Sequence, residues 1–151
     1  MAANGDPIYS KAGDVQSGQN INAGTLLGQT ANTAMDGTGT LYPVFQADAT
    51  NGGFLQKLTF QPIGTTTSAT TVRIFISSIT GAWTGNTAAN TALYMDFALP
   101  VITVSQTAAA PHFECPLNIA LPPGYRVVIA FGTSTGGATV GWSVFGVGGK
   151  Y

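Results

Sequence analysis

The sequence predicts an all-β protein, an antiparallel β-sandwich led by an extended N-terminal arm, and three observations carry that expectation. Short runs alternate apolar and polar residues with period two. Clusters of Gly, Asn, Ser and Pro punctuate those runs at short intervals. Charge is scarce: Lys, Arg, Asp and Glu make up 7% of the 151 residues, against about 25% in a typical soluble domain. The length suits a single domain with one sizeable core.

The arm is read over residues 1–38 and the sandwich over 39–151. Residues 1–38 are rich in Ala, Asn, Gly, Gln and Thr, with few apolar residues and no sustained period, and they end in the turn-like Asp36-Gly37-Thr38-Gly39. Ile8 and Tyr9, after Pro7, are its candidate anchors on a neighbouring subunit. The first strand is expected at Leu41 to Ala47. In Leu58 to Gln61, Leu58 and Phe60 share one face, and in Thr71 to Ser77 the inward set is Val72, Ile74 and Ile76. Residues 86–94 carry the only stretch that could pass for a helical turn, and the next strand is placed at Phe97 to Val104.

The clearest alternation runs from His112 to Leu121, with Phe113, Cys115, Leu117, Ile119 and Leu121 opposed by His112, Glu114, Pro116, Asn118 and Ala120. Tyr125 to Phe131 and Val140 to Val147 complete seven or eight strands, dense in β-branched and aromatic residues. Between two of them, Leu121-Pro-Pro-Gly124 presets a tight corner and removes a backbone donor. A strand, such a corner and a second apolar strand favour a jelly roll among the sandwiches.

Several strands carry apolar residues on the face that should be polar. Phe75 opposes Ile74 and Ile76, Val128 opposes Val127 and Ile129, and Phe145 and Val147 oppose Val144. A sandwich strand needs one apolar face, so the second must be covered by the arm, a long loop or another subunit. Phe75, Val128, Phe145 and Val147, with Ile8 and Tyr9, are the interface candidates. A net charge of -1 leaves little repulsion between copies and points the same way.

Other functions have little to draw on. Lys11, Lys57, Arg73, Arg126 and Lys150 are scattered, whereas nucleic acid and anionic membranes both require clustered cations. No stretch approaches the roughly 18 apolar residues of a membrane span, and the start lacks a basic segment followed by an apolar one, so a cytosolic product is expected. His112 is the only histidine and so the only neutral general base of its kind; Glu114 shares its face, while Cys115 falls on the other. With one cysteine there is neither an internal disulfide nor a thiolate metal site. The six carboxylates are spread along the chain, and Asp36-Gly-Thr-Gly-Thr40 lacks the alternating ligands of a calcium loop. No catalytic residue, cofactor or metal is therefore expected, and the chain reads as a non-enzyme. Trp142 alternates with core residues, which leaves Trp83, in a loop, as the candidate surface contact, for example with a sugar.

With its start Ala3-Asn-Gly-Asp-Pro-Ile-Tyr-Ser-Lys-Ala-Gly-Asp14, its Thr-, Gly- and Ala-rich β body and its Leu121-Pro-Pro-Gly124 corner, the chain resembles the jelly-roll capsid decoration proteins of tailed bacteriophages, also called cement or head-stabilising proteins. That resemblance implies a homotrimer on the outer capsid surface, bound to the major capsid protein with the help of a terminal arm. It implies no cofactor and no active site, and a virion protein made in the host cytoplasm. The alternatives are a trimeric phage fibre or tail-tip module binding a host glycan, and a soluble carbohydrate-binding β-sandwich.

Overall fold

Eight strands and no helix are found in the parts of the chain that the computed structural model describes, residues 12–17, 29–134 and 139–151. The strands are β1 (Ala12–Ser17), β2 (Tyr42–Gln46), β3 (Gly53–Ile63), β4 (Thr70–Ser77), β5 (Thr91–Leu99), β6 (Phe113–Leu121), β7 (Arg126–Phe131) and β8 (Gly141–Lys150). They form two four-stranded sheets, β1-β8-β3-β6 and β2-β7-β4-β5. Every pairing is antiparallel. The arm anchors Ile8 and Tyr9 lie outside the described residues.

The main core fills the space between the sheets. Leu55, Leu58, Phe60, Cys115, Leu117, Trp142 and Val144 of the first sheet meet Phe45, Val72, Ile74, Val127, Ile129 and Phe131 of the second. Period-two alternation puts them there, and β6 follows it without a break, burying Cys115, Leu117 and Leu121 while Glu114, Pro116, Asn118 and Ala120 are exposed. Asn118 has φ 51°, a left-handed conformation that Asn tolerates better than most side chains. It lies where β6 carries an extra residue against β3, as a bulge requires. At Gly146 the sheets come so close that a Cβ would sit 2.9 Å from the Phe45 Cβ, so only glycine fits opposite that ring.

A bulge also explains why β5 starts earlier than the sequence suggests. Ile74 pairs with Met95 and Phe75 with Leu93, which leaves Tyr94 unpaired as the extra residue. In β5 the inserted residue reverses the facing of what precedes it. Met95, Phe97 and Leu99 therefore pack on the main core, while Leu93 turns to the outer face of its sheet. Residues 88–90 form a turn, and the segment from Thr91 is strand rather than helix.

β1 is the other departure. It lies within the arm segment, yet it adds an edge strand to the chain's own sheet by pairing along β8 from Ala12↔Lys150 to Ser17↔Phe145. Its sequence AGDVQS has one large apolar residue, too little for a periodic signal. What fixes it is a side chain: Gln16 Nε2 donates to the Gln46 carbonyl at 2.8 Å, and the Gln46 N–H donates to Gln16 Oε1 at 2.8 Å. The carboxamide thus offers the open edge of β2 the donor and acceptor that a neighbouring strand would supply.

On the outer face of the second sheet lies a smaller core of Leu41, Phe75, Val128 and Ala130, with Trp83 and Leu93 packed against it. Phe75 and Val128 are both 0% exposed. Their cover comes from this chain, by Leu41 from the lead-in to β2 and by Trp83 from the β4–β5 loop. The expectation that Phe75 and Val128 face a partner is therefore corrected: they have no surface to offer one.

Candidate interaction face

The first sheet's outer face is different, because apolar side chains stay open there. On β8, Trp142 and Val144 point into the main core and Gly146 lies against Phe45. Ser143, Phe145 and Val147 consequently point away from it. Val15 of β1 is the direct cross-strand partner of Val147, and Lys57 and Thr59 of β3 are opposite Val147 and Phe145 on the other side. Directly opposed residues have Cβ atoms about 4.5–5.5 Å apart, so Val15, Val147 and Phe145 form one contiguous group. Val15 is 62% and Phe145 37% exposed; Val147 is half-buried.

Charge on this face is internally balanced. Lys57 Nζ lies 2.5 Å from Glu114 Oε1, and that hydrogen bond, ahead of the opposing cost of desolvation, holds the Glu114 carboxyl below its usual range. His112 Nε2 is 3.8 Å from the same Glu114 oxygen, beyond hydrogen-bond length. The pair forecast on one strand face is thus spatially close without sharing a hydrogen bond. Cys115 lies behind it, buried in the main core, where desolvation pushes its thiol pKa up. A thiol in that setting is not an activated nucleophile.

At the sandwich edge near β1 and β2 a polar cleft of about 390 Å³ is lined by Asp14, Gln16, Gln46, Ala47, Asp48, Ala49 and Lys150. Gln16 donates to Asp14 as well as to Gln46, and Lys150 Nζ stands 3.5 Å from Asp14 Oδ2. Asp48 Oδ1 accepts from the Thr50 and Asn51 N–H groups, both at 2.9 Å, closing the β2–β3 turn. The polar groups of this cleft thus join strand edges and tie a turn. Residues 14, 16, 46 and 150 are too far apart in the chain for local pattern to have linked them.

Trp83, the candidate surface contact, is half-buried. Its indole N–H donates to the Leu41 carbonyl at 3.3 Å, and its ring lies 6.0 Å from the Arg126 guanidinium carbon. Trp142 is fully buried with its ring edge-to-face against Phe113. Asp36 closes a local turn by accepting from the Thr38 N–H and hydroxyl, and those bonds lower its pKa. Among the described residues, no group of three or more His, Cys, Asp and Glu side chains could hold a metal ion. No helix is long and apolar enough to cross a membrane, among the same residues. Comparison with protein-family models, curated proteins and solved structures yields no match.

Proposed function

We propose that this chain is a structural subunit that decorates and stabilises a phage capsid, acting as a homotrimer on the outer surface and binding the major capsid protein. The observation that carries the reading is the open group Val15, Phe145 and Val147 on a sheet face whose charged pair, Lys57 and Glu114, is already neutralised. Such a face can be buried against protein without stranding a charge, and contiguous exposed apolar surface is where soluble proteins meet partners. Each contact can be weak, because repeated attachment to a shell multiplies it.

Within this reading the sandwich is a jelly roll. The order β1-β8-β3-β6 opposite β2-β7-β4-β5 supports it: only β4 and β5 are consecutive neighbours in one sheet, and every other connection crosses between sheets. A rigid platform of that kind presents one broad sheet face outward and leaves the loops at its ends free.

The test is reconstitution. Capsids prepared without this chain are incubated with the purified protein, pelleted and heated. The proposal expects the protein to pellet with the shells and to raise the temperature at which they break, and expects F145S/V147S to do neither. Failure of the unmodified protein to pellet with capsids overturns it.

A further inference from the structure

Arg126 is the one charged side chain among the described residues that is buried, at 5% exposure. Its Nη2 donates to the Gly81 carbonyl, while Nε and Nη1 are enclosed and have no hydrogen-bond partner. The ion pairs formed by the described residues join Lys57 or His112 to Glu114 and Lys150 to Asp14, none of them involving Arg126. Desolvation is what lowers its pKa, with no carboxylate among the described residues raising it in return. A guanidinium stays protonated even so, and an ion taken out of water without a counter-charge is destabilised. Arg73, only half-buried, donates to the Asn32 carbonyl at 2.9 Å and leaves one enclosed nitrogen, Nε, without a partner, where Arg126 leaves two.

What covers Arg126 is thin. Residues 79–85 pass over it as a strap in which Thr80, Gly81, Ala82, Thr84 and Gly85 are exposed and Trp83 is half-buried. Cβ atoms built at Gly81 and Gly85 would meet nothing within 4 Å, so the strap has open space at both positions. It is held by Trp83 packing on the second core and by three hydrogen bonds, the Gly81 carbonyl on Arg126, the Trp83 indole on the Leu41 carbonyl and Gln46 Nε2 on the Thr80 carbonyl at 3.3 Å. These are few bonds, and two of them are long.

We infer that Arg126 is a latent acceptor for an acidic side chain of a partner protein, uncovered when the 79–85 strap lifts and carries Trp83 away from it. A carboxylate seated there would take the place of the Gly81 carbonyl, accept from Nη2 and from the adjacent idle Nε, and neutralise the buried charge. Arg is among the residues that carry binding energy at protein interfaces. Planar guanidinium donors match a carboxylate bidentately. The strap's carbonyl is a neutral stand-in that satisfies one donor only. This inference does not depend on the capsid reading.

The experiment uses the full chain carrying W142F, so that Trp83 is its only tryptophan, and follows its emission and acrylamide quenching during titration with a blocked triglutamate peptide. Blocked triglutamine and sodium acetate, at matched ionic strength, are the controls. The inference expects triglutamate to shift Trp83 emission to the red and increase quenching, triglutamine to do neither, and Arg126→Met to abolish the response while the chain stays folded. Arg126→Lys, which keeps the charge without the fork, is expected to weaken the response. No response to triglutamate, an equal response to triglutamine, or a response that survives in folded Arg126→Met overturns it. An equal response to acetate, at matched carboxylate concentration, also overturns it, because the pocket would then take a free carboxylate rather than a partner's side chain.

Discussion

Replacing Phe75 with Ala separates two explanations of an apolar residue on an outer sheet face. Phe75 is 0% exposed and packs with Leu41, Val128 and Ala130, with Trp83 and Leu93 beside them. A buried Phe→Ala change costs about 3–5 kcal/mol through lost transfer energy and the cavity left behind. For a domain of this size 1 kcal/mol moves Tm by about 2–4 °C, so the expected fall is about 6–20 °C. Thermal unfolding followed by far-ultraviolet circular dichroism, with urea melts at constant m-value, measures it. Dilution adds a second readout: the loss must be independent of protein concentration, because the second core lies within one chain. A cost below about 1 kcal/mol, or a loss that vanishes on dilution, would refute the intramolecular assignment.

Other consequences follow from single contacts. Gln16→Ala removes the carboxamide that pairs with Gln46, with an expected cost of about 1 kcal/mol and faster amide exchange at Gln46; Gln16→Glu should fail to rescue, since a carboxylate cannot donate to the Gln46 carbonyl and repels Asp14. Gly146→Ala drives a Cβ into Phe45 and should cost about 1–3 kcal/mol by overpacking, read from urea melts. Glu114 has a folded pKa held below its ordinary value by Lys57, so its contribution to stability is present above the unfolded value and fades as pH falls through the folded one. A carboxyl-carbon NMR titration should show the Glu114 midpoint rising in Lys57→Met.

How far the sequence spoke for the fold depended on whether alternation ran uninterrupted. β6 could be read residue by residue from His112 to Leu121, because its inward set keeps one phase through the bulge at Asn118. β5 could not: the bulge at Tyr94 reverses the facing of Leu93 relative to Met95, and small residues at 88, 89, 92 and 98 dilute the pattern. β1 carries a single large apolar residue, and a glutamine side chain reaching β2 from thirty positions away holds it in place, a contact no local period records.

The same limit governs the interface candidates. Phe75, Val128, Phe145 and Val147 look alike in sequence, each an apolar residue on the wrong side of its strand. Coverage separates them. Leu41 and Trp83 fold over the first two, and Phe145 stays exposed. Which loop lies over which sheet is a tertiary fact, and alternation within a strand is blind to it. The electrostatic half of the reading was more direct, since few charges in the sequence mean few in the fold, and four of them pair with each other, Lys57 with Glu114 and Lys150 with Asp14.

The claim that this chain works by assembling through the outer face of β1-β8-β3-β6 is tested most directly by sedimentation equilibrium at micromolar concentration, comparing the unmodified protein with F145S/V147S. Losing those two contacts should remove about 2 kcal/mol per interface, roughly 30-fold in association constant. The account predicts a defined oligomer for the unmodified chain and 15.4 kDa monomers for the folded double variant; a monomeric unmodified chain, or an oligomer that the double variant leaves intact, would contradict it.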